Sequence, residues 1–517
     1  MKTSNEITRS RIILVHPPVA KPGEPPAGIA RLSGALSAHG VSHTVLDANL
    51  EGLLHLLEQP RPQRIDDVWS RRAFRNVRKN ISAMRNPATY RNRDRYARAV
   101  MDLGRVLEIA SVESRATVGL ANFQHESLSP LRSGDLIAAA GQPELNTYFP
   151  YFSPRLTGLV RDREPEFIGF SLNYLSQALC TFAMMGFIKR EFPSVKMVLG
   201  GGLVTSWMRS PLWKNPFFGL ADFIADGPGE ATLLRLLGIS PRTDTFTPAY
   251  QAMPAAEYLA PGFILPYSAS DGCFWNRCTF CPEKAEGNPY TPIPADRVFQ
   301  DLGDLSRKNA PVLIHLLDSA VAPALMGALA EKGPRVPWYG FARISAQLAD
   351  PEFCLELKRS GCVMLKLGLE SGDQEVLDRM EKGISVDMAL QAMKTLKKAG
   401  IATYVYLIFG TPAENLLSAR KTLEFVAVHH ESIDFLNLAV FNMPVCGSDA
   451  YALETRKFYD GDLSLYTDFS HPDGWGRKQV RHFLDTEFRK HSAVSLILKN
   501  DPVVFTSNHA PFFVLNR

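Results

Sequence analysis

The sequence predicts an α/β protein: an N-terminal Rossmann-like doubly wound parallel sheet, then a partial (β/α)6 TIM-type barrel and a small α-rich C-terminal segment. Two series of short apolar runs alternate with stretches of helical periodicity, a pattern typical of parallel sheets. A proline-rich stretch at 241–262 separates the two series and is interpreted as a linker. The 517 residues are enough for two or three domains.

The first series, residues 1–240, opens with a βαβ unit. An apolar run at 11–16 ends at Pro17, helical spacing follows from Gly28 to Gly40, and a second strand is predicted at 41–47. Further strands are predicted at 165–172, 195–200 and 221–226. Small residues follow three of these strands, at Ser171, Gly200 and Gly227. They let a large planar ligand approach the carboxyl edge of the sheet, although ordinary tight turns would give the same pattern.

An insertion at about 52–160 interrupts this domain. Residues 61–105 contain thirteen Lys or Arg against four Asp or Glu, with aromatic residues between them. Basic residues and aromatics suit nucleic acid, but a helical segment with a solvated basic face explains the same composition. We interpret the insertion as a lid or packing element and expect no nucleic-acid partner.

The second series predicts the barrel at 263–442 and a capping segment at 443–517. Strands are predicted at 312–317, 338–342, 364–368, 404–409 and 435–440, with helices at 350–360 and 385–399. Active sites of such barrels lie at the carboxyl ends of the strands. The polar or glycine residues at these ends are Asp318, Arg343, Glu370 and Gly410.

Three of the seven cysteines fall within nine residues, as Cys273, Cys278 and Cys281 in a C-x4-C-x2-C pattern. Three close thiolates without an obvious fourth favour a [4Fe–4S] cluster with one open iron. A structural zinc site needs four protein ligands, so the alternative is a zinc knuckle completed by a distant residue such as His315.

The stretch Cys273–Cys281 resembles the cluster loop of radical S-adenosylmethionine (SAM) enzymes, with Phe280 as the aromatic before the last cysteine. The first gap is one residue longer than in the commonest family pattern, as in cobalamin-binding members. The resemblance implies that the open iron chelates SAM, whose reductive cleavage releases a 5′-deoxyadenosyl radical. The block 368–382 and the F-G-T-P at 409–412 resemble the fourth and fifth strand regions of the same enzymes. They imply cofactor contacts from Asp318, Glu370 and Gly410, and a carboxylate or substrate contact from Arg343.

The motifs H-P-P, S-L-N-Y, L-G-G-G-x-x-T and D-G-x-G-E, in this order, resemble the cobalamin-binding domain that precedes many radical SAM domains. The residues that the resemblance implies around cobalamin are Ser171, Asn173, Gly200, Gly201, Thr205, Gly227, Gly229 and Glu230. The D-x-H-x-x-G motif of other cobalamin domains is absent from the sequence, so no histidine from that motif is expected on cobalt.

The resemblance therefore implies a cobalamin-dependent radical SAM enzyme that methylates an unactivated carbon of a lipid, peptide or natural-product intermediate. A non-methylating cyclisation, rearrangement or oxidation with the same cofactors is the alternative. A methylthiotransferase would need further cysteines before the loop, where only Cys180 lies, and a non-catalytic cobalamin sensor would leave the loop unused. Aromatic residues near the C-terminus suit an apolar substrate or a core equally: Phe441, Trp475, Phe505, Phe512 and Phe513.

Composition and resemblance also set expectations about partners and location. A reductase such as flavodoxin or ferredoxin is expected as the electron donor. No apolar run approaches about 18 residues, so no membrane span is expected. The polar N-terminus lacks the apolar core of a secretory signal, and thiols that must stay reduced fit the cytoplasm.

Overall fold

The computed structural model describes residues 11–60, 67–211, 213–241, 243, 245–457, 459–503 and 509–514. The polar N-terminus, six residues of the basic run at 61–66, and Phe505 lie outside this range. The chain forms two compact units. The first unit takes the described residues up to Gly262 together with Asp460–Ser464, and the second takes the remainder.

The first unit is built on a parallel sheet. Its strands are β1 (Ile12–His16), β2 (His43–Asp47), β3 (Ala116–Val118), β4 (Phe123–His125), β5 (Phe167–Ser171), β6 (Lys196–Gly200) and β7 (Phe223–Ile224). β3 and β4 form a separate antiparallel hairpin, and the other five strands are parallel in the order β2–β1–β5–β6–β7. This is the flavodoxin-like order of doubly wound sheets, whose ligands lie where the strand order reverses, between β1 and β5.

Helices cover this sheet and form the insertion. They are α1 (Ala27–Ala38), α2 (Ala48–Leu57), α3 (Val68–Arg75), α4 (Val77–Met84), α5 (Arg93–Ala110), α6 (Ser133–Gly141), α7 (Phe149–Arg163), α8 (Leu175–Glu191), α9 (Gly202–Arg209) and α10 (Gly229–Leu236). Every residue of β1 and β5 is buried, as expected for strands covered on both faces. Within the insertion, the buried carboxylate of Asp102 on α5 accepts hydrogen bonds from Trp69 and Arg72 of α3.

The second unit contains a parallel sheet of six strands in chain order, β8–β11–β12–β13–β14–β15. Its strands, with the small ones that flank them, are β8 (Ile264–Tyr267), β9 (Ser270–Asp271), β10 (Thr291–Pro292), β11 (Leu313–Val321), β12 (Trp338–Ala342), β13 (Cys362–Glu370), β14 (Ala402–Phe409) and β15 (Phe435–Val440). Six parallel strands in sequential order, each joined to the next by a helical connection, form a partial (β/α)6 barrel. The predicted α/β fold class is therefore confirmed for both units.

Seven helices lie in the described part of the barrel. They are α11 (Pro282–Ala285), α12 (Ala295–Asn309), α13 (Pro323–Lys332), α14 (Pro351–Ser360), α15 (Gln374–Arg379), α16 (Val386–Lys398) and α17 (Leu416–Val428). Two of them, α14 and α16, begin and end within one residue of the bounds predicted at 350–360 and 385–399. Asp350 caps α14 by accepting from the backbone N–H groups of Glu352 and Phe353, and Ser385 caps α16 by accepting from Met388. Such side-chain caps satisfy N–H groups that have no partner within the helix.

The C-terminal segment adds a small antiparallel sheet, which the sequence did not predict. It comprises β16 (Met443–Pro444), α18 (Ser448–Ala452), β17 (Thr455–Arg456), β18 (Tyr466–Phe469), α19 (Arg477–Phe483), a π-helix (Leu484–Phe488), α20 (Ser492–Leu498) and α21 (Pro511–Val514). α19 continues into the wider π form at Leu484. Phe441, Trp475 and Phe512 are buried, so these aromatics form core rather than an open apolar surface.

The proline-rich stretch at 241–262 packs onto the first unit instead of lying free. Tyr250, Tyr258 and Leu259 are at most 4% exposed. The Tyr258 hydroxyl donates to the carboxylate of Asp47 at 2.7 Å, and the backbone N–H of Ala249 donates to the carbonyl of Ala30 at 2.8 Å. Composition indicated a linker because proline and polar residues are frequent there, but these buried aromatics anchor it.

None of the helices in the described ranges has both the length and the apolar character that crossing a membrane requires.

Candidate functional site

The three clustered cysteines lie in the loop between β9 and α11, at the carboxyl end of β8 in the parallel sheet. We call Cys273–Cys281 the cysteine loop. Asp318 on β11 holds the chain just before it, because its carboxylate accepts from Ser270 Oγ at 2.5 Å and from the backbone N–H of Ala269 at 3.1 Å. Asp318 is 2% exposed, and burial raises the pKa of its carboxyl. In this structure it positions the loop through those two bonds.

The three thiols share one electrostatic neighbourhood. Burial raises the pKa of Cys278, and the positive charges of Lys382 and Arg343 oppose that rise. Burial also raises the pKa of Cys281, to about 11, and the charge of Cys273 acts on both thiols. All three side chains are partly accessible. This donor set fits a [4Fe–4S] cluster, which takes one thiolate on each of three irons.

A single tetrahedral metal ion would need a tighter group, with thiolates about 3.8 Å apart around bonds of about 2.3 Å. No group of three His, Cys, Asp or Glu side chains suited to one metal ion occurs within the part of the chain that the structure describes. His315, the alternative fourth ligand, lies on β11 with its ring stacked on Tyr339 at 4.3 Å between centroids. The structure thus places His315 in a packed pair between strands.

Phe280 connects the cysteine loop to the C-terminal segment. Its ring packs against the buried cluster of Phe441, Met443 and Phe469. On another side, the ammonium of Lys382 lies 5.7 Å from the Phe280 ring centroid. The aromatic before the third cysteine therefore anchors this part of the cysteine loop by packing.

Glu370 ends β13 in a left-handed backbone conformation, with φ of 69°, where the strand register with β14 shifts. Its carboxylate Oε1 lies 2.8 Å from Lys382 Nζ, and both side chains are nearly buried. A carboxylate at this strand end can bind a cationic group of a ligand, and Lys382 is the cation it binds in this structure. The cofactor role that the sequence predicts for Glu370 stays a prediction.

Arg343 follows β12 and turns towards the cysteine loop. Its guanidinium carbon lies 3.8 Å from the ring centroid of Trp275, and Nη2 donates to the backbone carbonyl of Lys382. Burial lowers the pKa of Arg343, and the hydrogen bond and charge of Cys278 oppose this change. The sequence predicted a carboxylate or substrate contact for Arg343 and did not anticipate these partners.

Gly410 follows β14 in the segment whose buried carboxylate is Glu414. The backbone N–H of Gly410 donates to Glu414 Oε2 at 2.5 Å, and Trp475 Nε1 donates to the same oxygen at 2.9 Å. Glu414 is 1% exposed, its Oε1 accepts no hydrogen bond in the structure, and burial raises the pKa to about 7. Sequence reasoning missed Glu414, because a Glu five residues after a strand resembles an ordinary surface residue.

The predicted ligand edge of the first unit is a network of short polar bonds between loops. Asn173 Nδ2 donates to Ser171 Oγ at 3.1 Å, and Asn173 Oδ1 accepts from the backbone N–H of Gly202 at 2.9 Å. Thr205 Oγ1 accepts from the backbone N–H of Gly227 at 3.0 Å. The loops after β5, β6 and β7 are thus tied together. The structure brings four of the predicted residues to one edge of the sheet together with Gly200 and Gly201; the four are Ser171, Asn173, Thr205 and Gly227.

Gly201 precedes α9 as its N-cap residue with φ of 110°, and a Cβ there would lie 2.4 Å from the carbonyl oxygen of Leu172. Only glycine permits this close approach between the loops after β5 and β6. Beside the same edge, the Tyr174 side chain is 54% exposed. An exposed aromatic next to a small-residue edge is suited to the flat face of a large ring.

Glu230 differs from the other predicted residues of this edge. Its carboxylate accepts from Arg31 Nε on α1 at 2.6 Å, and Glu230 is 8% exposed. The pair fastens the start of α10, at Gly229, to α1. Sequence reasoning did not identify Gln177 as a residue of this edge. Its side-chain oxygen accepts hydrogen bonds from the backbone N–H groups of Asn173 and Tyr174.

With this geometry established, comparison with known proteins defines the class. Residues 267–426 match the Radical SAM superfamily, and these residues contain the cysteine loop and the four barrel strands β11 to β14. Residues 267–426 therefore form a radical SAM domain, and this class implies a [4Fe–4S] cluster on the cysteine loop, SAM as the co-substrate and a source of electrons. The resemblance that the loop predicted is confirmed at this level.

Particular relatives extend the similarity beyond the barrel. The chain is 24% identical over 337 residues to hopanoid C-3 methylase of Methylococcus capsulatus, covering 58% of this chain and 63% of that protein. Less than two thirds of that relative's length is therefore matched. The structure of the cobalamin-dependent SAM radical enzyme OxsB with aqua-cobalamin bound gives a TM-score of 0.58 at 12% identity, over 93% of this chain and 68% of OxsB.

A second solved structure is also similar to this chain. The radical SAM methyltransferase TsrM of Kitasatospora setae, with cobalamin and a [4Fe–4S] cluster bound, gives a TM-score of 0.53 at 14% identity. The match covers 87% of this chain and 81% of TsrM. At these identities the likeness shows the fold alone, which this chain shares with OxsB and TsrM.

Proposed function

We propose that this protein is a cobalamin-dependent radical SAM methyltransferase that methylates an unactivated carbon, with a lipid as the first substrate class to test. The observation that carries the proposal is the occurrence of two parallel sheets in one chain, one with a three-thiol loop at its carboxyl edge and one with a small-residue edge. The relative hopanoid C-3 methylase supports both methyl transfer and a lipid substrate.

The two units would bind different cofactors. In the second unit, Cys273, Cys278 and Cys281 would hold the cluster, and the strand ends with Glu370 and Gly410 would contact SAM. In the first unit, the edge with Asn173, Gly201 and Thr205 would hold cobalamin, where its flat ring meets backbone rather than side chains. When bound, these cofactors supply a 5′-deoxyadenosyl radical and a transferable methyl group; the protein supplies position and exclusion of water.

The cofactors set further conditions. A one-electron reductase of the flavodoxin or ferredoxin class would supply the electron for SAM cleavage. We place the enzyme in the cytoplasm, because thiolates that bind iron and sulfide must remain reduced. The seven cysteines are free thiols in the structure, in agreement with such a compartment.

The test is anaerobic reconstitution with iron, sulfide and hydroxocobalamin, followed by turnover with S-(methyl-d3)-SAM and candidate polycyclic lipids. We expect 5′-deoxyadenosine together with a lipid product that has gained one CD3 group in place of hydrogen. Omission of cobalamin should abolish the labelled product and spare the iron content. If the product forms without label while 5′-deoxyadenosine accumulates, methyl transfer is wrong, and the non-methylating cyclisation, rearrangement or oxidation replaces it.

A further inference from the structure

The turn after α15, which we call the clasp turn (residues 380–383), holds the cysteine loop through backbone groups. The backbone N–H of Thr279 donates to the carbonyl of Met380 at 3.1 Å, and the indole N–H of Trp275 donates to the carbonyl of Glu381 at 3.0 Å. Glu381 and Gly383 both have positive φ, 53° and 63°. The sharp turn therefore presents consecutive carbonyls to the loop.

Gly383 brings Trp275 directly against the clasp turn. A Cβ at Gly383 would lie 2.3 Å from the Trp275 ring and 3.1 Å from Arg343 Nη2. Asn276, the next residue of the loop, has φ of 42°. The longer first gap of the C-x4-C-x2-C pattern is thus accommodated by one left-handed residue, and it allows Trp275 to pack between the clasp turn and Arg343.

Two cations border the thiols from this side. Arg343 stacks on Trp275 and donates to the carbonyl of Lys382, and its charge interacts with those of Cys278 and Cys273. Lys382 pairs with Glu370 and lies near the Phe280 ring. Glu370 balances the charge of Lys382, whereas Arg343 has no carboxylate within ion-pairing distance among the described residues.

We propose that Arg343 is a positioning residue for the iron–sulfur cluster, which orders the cysteine loop through Trp275 and whose charge raises the reduction potential of the cluster. One electron from the external reductase makes the cluster and its three thiolates one charge more negative, and no bond forms or breaks in this step. A fixed cation beside the ligand sulfurs stabilises the reduced state more than the oxidised state. This role of Arg343 requires only the iron–sulfur cluster. Its test is therefore independent of cobalamin binding and of methyl transfer.

The competing role for Arg343 is the carboxylate or substrate contact that the sequence predicts. The geometry favours the cluster, because the guanidinium already contacts the Trp275 ring and a backbone carbonyl of the clasp turn. Its planar shape suits both partners at once, which a lysine ammonium does not. Substitutions of Arg343 can therefore distinguish the effect of its charge, which Lys keeps, from the effect of its planar shape, which Lys lacks.

The experiment compares wild type, Arg343→Gln, Arg343→Lys and the control Arg359→Gln, which removes an exposed arginine of α14. Each reconstituted protein is titrated anaerobically with reductant, and the reduced cluster is quantified by electron paramagnetic resonance. At the potential that reduces half of the wild-type cluster, we expect about a tenfold lower ratio of reduced to oxidised cluster in Arg343→Gln. Arg343→Lys should recover most of this ratio, and the control should match wild type.

A midpoint in Arg343→Gln equal to wild type and control overturns the proposal, and a weakened SAM affinity in the same variant would assign Arg343 to SAM instead. If Arg343→Gln fails to hold iron, Lys382→Met provides the second measurement, because it keeps the backbone carbonyl that Arg343 binds. Lys382→Met must then lower the midpoint and Arg343→Lys must hold iron with a midpoint near wild type. Failure of either overturns the proposal.

Discussion

The carboxyl edges of the two parallel sheets differ in the chemistry of the side chains that they carry. In the first unit, neutral Asn and Thr side chains and glycines connect the loops, as between Asn173 and Gly202. In the second unit, the edge carries three thiols, two cations and buried carboxylates, as between Lys382 and Glu370. The same strand geometry thus provides a surface defined by shape in one unit and by charge in the other.

This difference teaches what each site can tolerate. A shape-defined edge depends on the absence of side-chain atoms, so added carbon damages it while changes of charge elsewhere do not. A charge-defined edge depends on thiolates and cations held within a few ångströms, where electrostatic interactions are strong. Substitutions at the two edges should therefore have separable effects on the two predicted cofactors.

The largest expected effect concerns the cysteine loop. Cys281→Ser should lose most of the iron and all formation of 5′-deoxyadenosine, because a hydroxyl does not replace a thiolate on iron. Cobalamin bound per chain should stay unchanged. Iron and cobalt analysis after reconstitution measures both. Cys446→Ser is the control for iron content, and equal iron loss in that variant would contradict the three-cysteine assignment.

The next effect concerns the two glycines that allow close approaches. Gly201→Ala should release cobalamin and spare iron, because its Cβ would meet the Leu172 carbonyl at 2.4 Å. Gly383→Ala should lose iron and keep cobalamin, because its Cβ would lie 2.3 Å from the Trp275 ring. Each substitution also adds backbone strain of about 1–3 kcal/mol. Cofactor content per chain, with the unfolding midpoint, is the measurement.

Two control substitutions distinguish the effect of the steric clash from the effect of backbone strain. Gly238→Ala in the first unit and Gly400→Ala in the second have similar positive φ, 74° and 73°, without a contact under 3.4 Å. Both should lower stability and keep both cofactors. If Gly201→Ala loses iron as readily as cobalamin, the two edges are not independent and the comparison above is wrong.

A smaller effect concerns Glu414 and pH. Burial raises its pKa from 4.5 to about 7 in the folded protein. The folded state therefore holds the proton more tightly than the unfolded state, and the stability this contributes is lost as pH rises from about 4.5 through 7. From pH 5 to pH 8 we expect a loss of up to about 3 kcal/mol from this group.

Glu414→Gln should remove this dependence, because a neutral amide can accept from Gly410 and Trp475 without ionising. Thermal unfolding midpoints of the metal-free protein between pH 5 and 8 would show it, with the variant more stable than wild type at pH 8. Parallel pH curves for the two proteins would show that Glu414 is not the group that titrates.

The smallest effect concerns the hydrogen bonds of the first edge. Asn173→Ala removes bonds to Ser171 and Gly202 and should cost about 1–2 kcal/mol. Cobalamin affinity should fall several-fold without loss of iron. Thr205→Val, which removes the acceptor for the Gly227 N–H, should behave alike. Unchanged cobalamin binding in both variants would remove this edge from the proposed site.

Local sequence was enough to predict the strands and the ligand loop. β12 and β15 have the bounds that their apolar runs predict, because a run of buried side chains between turn residues is itself local information. Cys273, Cys278 and Cys281 are recognisable for the same reason, since all three ligands lie within one loop.

The tertiary structure alone decided which side chains surround that loop. Arg343 and Glu381 are distant from Trp275 in sequence and contact it only because the turn after α15 and the end of β12 converge at one edge of the sheet. Likewise, the stretch at 241–262 has the composition of a linker, and its packing became visible only through the partners of Tyr258.

From the sequence alone, then, came the two parallel sheets, the order of their strands along the chain and the three thiols, because apolar periodicity and ligand spacing act over a few residues. The charges and rings that face the thiols depend on contacts between residues far apart in sequence. No spacing rule encodes such contacts, and the folded chain had to supply them.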